Sequence, residues 1–245
     1  MESQITKAPT PDLLQADLTI KNTGSSRSAL EDGIKTILPL PQNPLHSIAH
    51  YHFRRFGKLL RGRTALKVSK AVGIEHSAAL NWALAVELMH NASLVHDDIC
   101  DQDESRRDHP TIFSAFGTPS AVCFGDWLVA RSFELAIKSV SSDKGVAAVE
   151  SLAAAMRLLS EGQSSEFNQI PILNWSAYEE VVSKKTTPLL LAPIEGPLLI
   201  SGRKECLPYV RRVVCAMGHA YQISNDIQNA VGGADGEVAF KDLER

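Results

Sequence analysis

Apolar residues recur at helical spacing along most of this chain, and this pattern restricts the fold more than any other feature. In the segment 76–98, apolar residues recur near helical spacing, at Leu80, Leu84, Val86, Leu88 and Leu94. Two-residue alternation is scarce, and no Asn-Gly or Asp-Gly pair joins two β-branched runs. The sequence therefore predicts an all-α fold, a helical bundle, with further helices at about 119–138, 145–169, 176–200 and 205–230.

The chain is expected to form one folded domain behind a loose arm. Residues 1–27 are polar and rich in Ser, Thr and Pro, which is typical of an unstructured arm. The prolines within Leu38–Pro41 predict a break before the next helix. With 245 residues, 44% of them hydrophobic, the part from 28 to 245 can bury one sizeable core. The glycines within Gly232–Gly236 predict the end of the last long helix.

The overall composition argues against several classes of protein. A net charge of −3 makes nucleic acid an unfavourable general partner. The four cysteines form no CxxC pair, which fits reduced thiols in a cytoplasmic protein better than disulfides or zinc. The amino terminus lacks the apolar core of a signal peptide. No apolar run approaches about 18 residues, so we expect no membrane span.

An acidic cluster follows the apolar segment 76–98. Asp97 and Asp101 are one helical turn apart and share a face, with Asp98 beside them. At the end of a helix these carboxylates repel one another and oppose the helix dipole. Mg²⁺ prefers such hard oxygen ligands and commonly recruits substrate phosphates as well. The alternative at this point is a solvated acidic helix end.

Arg106 and Arg107 follow the acidic cluster closely. Paired guanidinium groups near a magnesium site can hold a diphosphate through bidentate hydrogen bonds. Alternatively, the two arginines balance Asp103 and Glu104 at the surface, although this leaves the Pro-Thr pair that follows unexplained.

Asp97–Thr111 resembles the first aspartate-rich motif of the trans-isoprenyl diphosphate synthases, also called polyprenyl synthetases. Asp108 stands where that family usually has glycine. The resemblance covers roughly residues 45–245 and is closest to geranylgeranyl diphosphate synthases. It implies an isoprenoid synthase-type helical bundle around a central cavity, Mg²⁺ as cofactor, isoprenyl diphosphates as ligands and a homodimer.

The resemblance also implies roles for individual residues. The ligands implied for isopentenyl diphosphate are Lys58, Arg61, His90 and Arg107. The residues implied around the allylic diphosphate and the reacting carbons are Arg106, Gln163, Lys185, Thr186 and Gln222, with Gln163, Lys185 and Thr186 as the catalytic set. The implied metal ligands are Asp97, Asp98, Asp101 and Asp226.

The activity implied by this resemblance is a magnesium-dependent prenyl transfer. An allylic diphosphate, with farnesyl diphosphate favoured, condenses with isopentenyl diphosphate. Ala92 and Ser93 precede the acidic cluster, where bulky residues block chain growth in this family. The expected product is therefore geranylgeranyl diphosphate.

Three departures from the family pattern put this activity in question. The second aspartate-rich motif reads Asn225–Asn229, in which Asp226 alone is acidic, so binding of a third Mg²⁺ should be weakened. Gly236–Glu237 replaces a usual Gly-Lys pair. The sequence stops at Lys241–Arg245, where relatives continue, so we expect an exposed apolar face that a partner subunit could cover.

Two other functions stay open from the sequence. The first is a noncatalytic or weakly active diphosphate-binding homologue or a partner subunit of an active enzyme, which the departures favour. The second is a class I terpene cyclase, because Asn225-Asp226 begins like the second cyclase motif. Asn229 and Gly233 occupy the places of its Ser and Glu, and a cyclase has no use for an isopentenyl diphosphate site.

Overall fold

The computed structural model describes residues 25–106, 108–140, 143–167 and 174–231, and these are almost entirely helical. The α-helices in chain order are α1 (Ser26–Ile37), α2 (His46–His52), α3 (Leu60–Val72), α4 (His76–Cys100), α5 (Ile112–Phe116), α6 (Thr118–Lys138), α7 (Val146–Phe167), α8 (Trp175–Lys185), α9 (Thr187–Ile200) and α10 (Leu207–Val231). Short 3-10 turns lie at Asp143–Gly145 and Lys204–Cys206. The predicted all-α fold is confirmed.

Helix α4 is the centre of the bundle. It packs against α3, α6 and α9, and its residues 82–86 are buried on every side of the helix. A helix that is apolar all round is stable only when its neighbours enclose it. Its last turns carry the polar residues, so the acidic cluster lies where the core ends.

Helices α4 and α9 are joined by a close contact at Trp82. The indole nitrogen donates a hydrogen bond to the carbonyl of Ala192 at 3.2 Å. A Cβ atom on Gly196 would lie 1.9 Å from the indole ring, so only glycine admits the ring here. The contact fixes α9 against the middle of α4.

The segment predicted as one helix over 176–200 is two helices, and that prediction was wrong in this detail. Helix α8 ends at Lys185, and Thr186 separates it from α9. Pro188 explains the break because it has no amide hydrogen for the carbonyl four residues earlier, and its ring crowds that carbonyl. The Lys-Thr pair is therefore placed at a helix junction.

The structure also contains a short hairpin that the sequence did not predict. Ser105–Arg106 pairs antiparallel with His109–Pro110. Asp108, in the turn, has a φ of 62°. Aspartate tolerates this left-handed conformation better than most residues, which explains how it can replace the usual glycine.

The described part of the chain begins with α1 and ends with α10. Helix α1 begins at Ser26, just inside the predicted arm, and the Ser25 hydroxyl accepts from the amide of Ser28. Helix α10 has exposed apolar side chains at Tyr209, Val213, Met217, Tyr221 and Ile227. Gly236–Glu237 and Lys241–Arg245 lie outside the described residues.

Candidate active site

Asp97 and Asp101 lie one turn apart at the end of α4, as predicted. Burial raises the pKa of Asp97 to about 6, although Lys185 and Arg106 act in the opposite direction. Asp101 and Asp98 raise the pKa of Asp97 further because their charges have the same sign. Lys185, which is far from Asp97 in the sequence, is therefore near enough in the fold to interact with the acidic cluster.

Asp98 has a different environment from its two neighbours. It is buried, and its Oδ1 accepts from Nε of Arg106 at 2.7 Å and from Nη2 at 2.6 Å. Burial raises the pKa of Asp98, and the guanidinium of Arg106 opposes that effect. The hairpin thus brings to α4 a cation that the sequence did not place there.

Gln163 reaches the acidic cluster from α7. Its amide nitrogen lies 3.4 Å from Oδ1 of Asp101, a long hydrogen bond. One residue earlier, Gly162 lies at the crossing of α7 and α8, where a Cβ atom would be 3.2 Å from the backbone nitrogen of Lys185. Gly162 therefore allows the close approach that brings Lys185 and Gln163 to the same side of the cluster.

Arg61 is held in place by its own contacts at the start of α3. Its Nε donates to the carbonyl of Leu189 at 3.1 Å. Burial lowers the pKa of Arg61, while Glu87 and Tyr221 act in the opposite direction. Glu87 in turn accepts a hydrogen bond from the amide of Gly62 at 2.8 Å. These hydrogen bonds join the start of α3 to α9 and to α4.

The structure describes two of the three other residues expected at the isopentenyl diphosphate site. Lys58 is exposed just before α3. His90 is half-buried on α4, two turns before Asp97. Arg107 lies outside the described residues.

Thr186 and Gln222 meet between the α8–α9 junction and α10. The Thr186 hydroxyl donates to Oε1 of Gln222 at 2.9 Å, and Nε2 of Gln222 donates to Oδ1 of Asp226 at 2.9 Å. The hydroxyl of Tyr178 donates to the other oxygen of Asp226 at 2.5 Å. Partial burial and this carboxylate raise the pKa of Tyr178. The predicted role of Asp226 as a metal ligand stays a prediction.

Sequence reasoning missed two residues that organise this site. Glu87 is a charged residue inside an apolar helix and is 3% exposed. That pattern alone could have indicated a partner, because a buried carboxylate is costly without one. Tyr178 had no such signal, since its partner is 48 residues away.

The acidic cluster suits Mg²⁺ in its donor chemistry. The described residues include no group of three or more His, Cys, Asp or Glu side chains arranged around one metal position. Asp97 and Asp101 nevertheless offer two carboxylates, and Mg²⁺ is commonly held by one or two carboxylates together with water and substrate phosphates. A cation here would also offset the cost of ionising the partly buried Asp97.

The sequence of this chain is similar to a family of known proteins. The sequence model of the polyprenyl synthetase family matches residues 42–245. A geranylgeranyl pyrophosphate synthase of Geoglobus acetivorans is 35% identical over 164 residues, which cover 66% of this chain and 51% of the relative. An octaprenyl diphosphate synthase of Escherichia coli K12 is 26% identical over 233 residues, covering 93% and 68%. The chain thus spans about half the length of the Geoglobus relative.

Solved structures agree with this relationship. The geranylgeranyl pyrophosphate synthetase from Geoglobus acetivorans superimposes with a TM-score of 0.75 at 30% identity, covering 85% of this chain and 70% of that one. The expected isoprenoid synthase-type bundle is confirmed. Within the described part of the chain, no helix combines the length and the apolar character needed to cross a bilayer.

Proposed function

Since this chain belongs to the polyprenyl synthetase family, we propose that it is a magnesium-dependent prenyltransferase that joins an allylic diphosphate to isopentenyl diphosphate. The observation that carries the proposal is the carboxylate pair of Asp97 and Asp101, which has Lys185 within electrostatic reach and Gln163 at 3.4 Å. This arrangement combines metal ligands with a cation suited to a departing diphosphate.

The two substrates are assigned to two different sets of residues. Lys58, Arg61 and His90 are proposed to hold the diphosphate of isopentenyl diphosphate, and Arg107 is expected there from the family resemblance. The contacts of Arg61 with Leu189 and its attraction to Glu87 support this, because they hold its guanidinium in one orientation. A pre-oriented guanidinium loses less entropy when it binds a diphosphate.

The difficult step is breaking the allylic carbon–oxygen bond. Mg²⁺ held by Asp97 and Asp101 would supply positive charge where negative charge develops on the leaving pyrophosphate. Lys185 and Arg106 add fixed positive charge at the same place, next to Thr186, whose hydroxyl donates to Gln222. The apolar faces of the bundle keep water away from the allylic cation until the double bond of isopentenyl diphosphate attacks it. The cation formed by this attack then loses a proton to the released pyrophosphate, which gives the new double bond.

For the product, we propose geranylgeranyl diphosphate made from farnesyl diphosphate. Small side chains at Ala92 and Ser93, one to two turns before Asp97, support chain growth past the farnesyl length. A homodimer is part of the proposal and rests on the resemblance, and a cytoplasmic location is proposed from the cysteine pattern. Sedimentation or light scattering of the purified chain measures its assembly.

A single assay tests the activity. Purified protein is incubated with Mg²⁺, farnesyl diphosphate and labelled isopentenyl diphosphate, and products are extracted before and after phosphatase treatment. The expected result is a labelled C20 alcohol that appears only after phosphatase. The matched control is Asp97→Ala, which should give no product while keeping the helical circular dichroism of the wild type. Full turnover by that variant would contradict the proposed metal site.

A noncatalytic diphosphate-binding protein is the second candidate. It is favoured by Asp226, whose two oxygens are both hydrogen-bonded to side chains, and by the neutral Asn225 beside it. This candidate predicts that calorimetry detects binding of inorganic pyrophosphate with Mg²⁺ although no prenyl transfer occurs. A hydrocarbon formed from farnesyl diphosphate alone would instead indicate a terpene cyclase.

A further inference from the structure

Asp226 is the acidic residue of the segment Asn225–Asn229, and both of its carboxylate oxygens accept hydrogen bonds from other side chains of the protein. Oδ2 accepts from the hydroxyl of Tyr178 at 2.5 Å, and Oδ1 accepts from the amide of Gln222 at 2.9 Å. These bonds link α10 to α8. Each oxygen therefore has a protein donor at hydrogen-bond distance.

The carboxylate of Asp226 determines the orientation of the groups beyond it. An ionised carboxylate can only accept hydrogen bonds, so Gln222 must direct its NH2 group toward Asp226. The carbonyl oxygen of Gln222 then faces Thr186 and accepts from its hydroxyl at 2.9 Å. Thr186 follows Lys185 directly. Hence one carboxylate holds the Thr186 side chain in place through one intermediate side chain.

Tyr178 and Thr186 stand about two turns apart at the two ends of this network. Tyr178 lies in the first half of α8, and Thr186 follows the last residue of that helix. Because Asp226 binds one directly and the other through Gln222, it ties both ends of α8 to α10. Helix α8 ends at Lys185, so this link also holds the lysine that lies near Asp97.

We propose that Asp226 and Tyr178 are positioning residues that hold Thr186 and the end of α8 at the allylic diphosphate, and that Asp226 is not a magnesium ligand in this chain. This inference rests on the proposed prenyl transfer, because that reaction places the allylic diphosphate beside Thr186. A positioning role explains why Asp226 is acidic in a segment with Asn225 and Asn229, because its carboxylate accepts two hydrogen bonds from the protein. Metal binding is then left to Asp97 and Asp101.

Replacing Asp226 by asparagine separates the two roles. The introduced side chain can accept from Tyr178 through its oxygen, and Gln222 can turn its amide so that its oxygen accepts from the new NH2 group. Thr186 then accepts instead of donating, and the network stays connected. A positioning role therefore survives Asp226→Asn, whereas a metal ligand loses its charge.

The experiment compares Asp226→Asn, Asp226→Ala, Tyr178→Phe and the double variant Tyr178→Phe/Asp226→Ala. Turnover is measured against Mg²⁺ concentration, and binding of inorganic pyrophosphate with Mg²⁺ is measured by calorimetry. Thermal unfolding of each variant is followed by circular dichroism. Asp101→Asn serves as the variant that weakens metal binding. Tyr209→Phe is the matched tyrosine control, since Tyr209 is exposed on α10.

We expect Tyr178→Phe and Asp226→Ala each to lower kcat about tenfold, as is typical when a side chain that orients a catalytic group is lost. The Mg²⁺ concentration at half-maximal turnover should stay within about twofold of wild type, and Asp226→Asn should keep most of its activity. The double variant should match the worse single variant in kcat and in melting temperature, because both changes break the same bond.

A rise of about tenfold in the Mg²⁺ requirement of Asp226→Asn, matching Asp101→Asn, would overturn the inference and make Asp226 a metal ligand. Additive losses in the double variant would overturn it as well. If the wild type turns over no substrate, the proposed function fails instead. The melting temperatures and the pyrophosphate titrations then still decide the role of Asp226, because neither needs turnover.

Discussion

Asp97→Asn should make the metal-free protein more stable while removing its activity. Burial and two neighbouring carboxylates oppose the ionisation of Asp97. Without a divalent cation that opposition weakens the folded state. Asparagine has nearly the same size and no charge, so it removes the cost and leaves the packing almost unchanged.

The size of the effect follows from the pKa of Asp97, which is raised from its ordinary 3.8 to about 6. A difference of about two pKa units corresponds to about 3 kcal/mol between the folded and unfolded states. Water reaches this half-buried side chain, so we expect a gain of about 1–2 kcal/mol at pH 7.5. For a chain of this size that is a rise of about 3–6 °C in melting temperature.

The pH dependence has a definite sign. A carboxyl group whose pKa is higher in the folded state favours folding when protonated. The contribution of Asp97 is fully present below about pH 4 and is lost as the pH rises through about 6. The difference in stability between Asp97→Asn and wild type should therefore grow from near zero at pH 4 to its full value above pH 6.

The measurement is thermal unfolding by circular dichroism in buffer containing EDTA, at several pH values. Asp32→Asn is the matched control, because Asp32 is well exposed on α1 and its ion pair with Lys35 is 3.5 Å long. That variant should melt within about 1–2 °C of wild type. Adding Mg²⁺ and pyrophosphate should raise the melting temperature of wild type more than that of Asp97→Asn.

A lower melting temperature for Asp97→Asn than for wild type, in EDTA at pH 7.5, would refute this reasoning. So would a stability difference that does not change between pH 4 and pH 7. Either result would mean that the carboxylate is stabilised in the folded protein without a metal.

Three further changes test the packing around the site. Gly162→Ala places a Cβ atom 3.2 Å from the backbone nitrogen of Lys185, so α8 must shift. The kcat should fall about tenfold with little change in melting temperature. Unchanged kinetics would contradict this expectation. Gly196→Ala forces a carbon to within 2 Å of the Trp82 ring. Urea unfolding should show that the free energy of unfolding falls by about 1–3 kcal/mol or more. A variant as stable as wild type would mean that α4 and α9 separate easily. Glu87→Ala leaves the buried amide of Gly62 without its acceptor and should lower the free energy of unfolding by about 1–3 kcal/mol in the same assay. Glu87→Gln should lower it less. Equal losses would argue against the hydrogen bond between Gly62 and Glu87.

Local patterns were enough to predict α4, α6, α7, α10 and the acidic cluster. The spacing of Leu80, Leu84 and Leu88 predicted α4, because a buried helix repeats its apolar residues at its own period. The shared face of Asp97 and Asp101 follows from the same geometry. The missed break at Thr186 was also local, since Pro188 was present in the sequence and was not used.

The tertiary structure alone decided which side chains from different helices and turns meet. Asp98 and Arg106 meet only because a hairpin turns back onto α4. Tyr178 and Asp226 are on different helices, 48 residues apart. Periodicity tells which face of a helix is apolar but does not tell which helices adjoin, because that depends on how all of their faces pack together. The sequence by itself thus determined the fold class and the carboxylates of the site, while packing decided which of those carboxylates are occupied by protein donors.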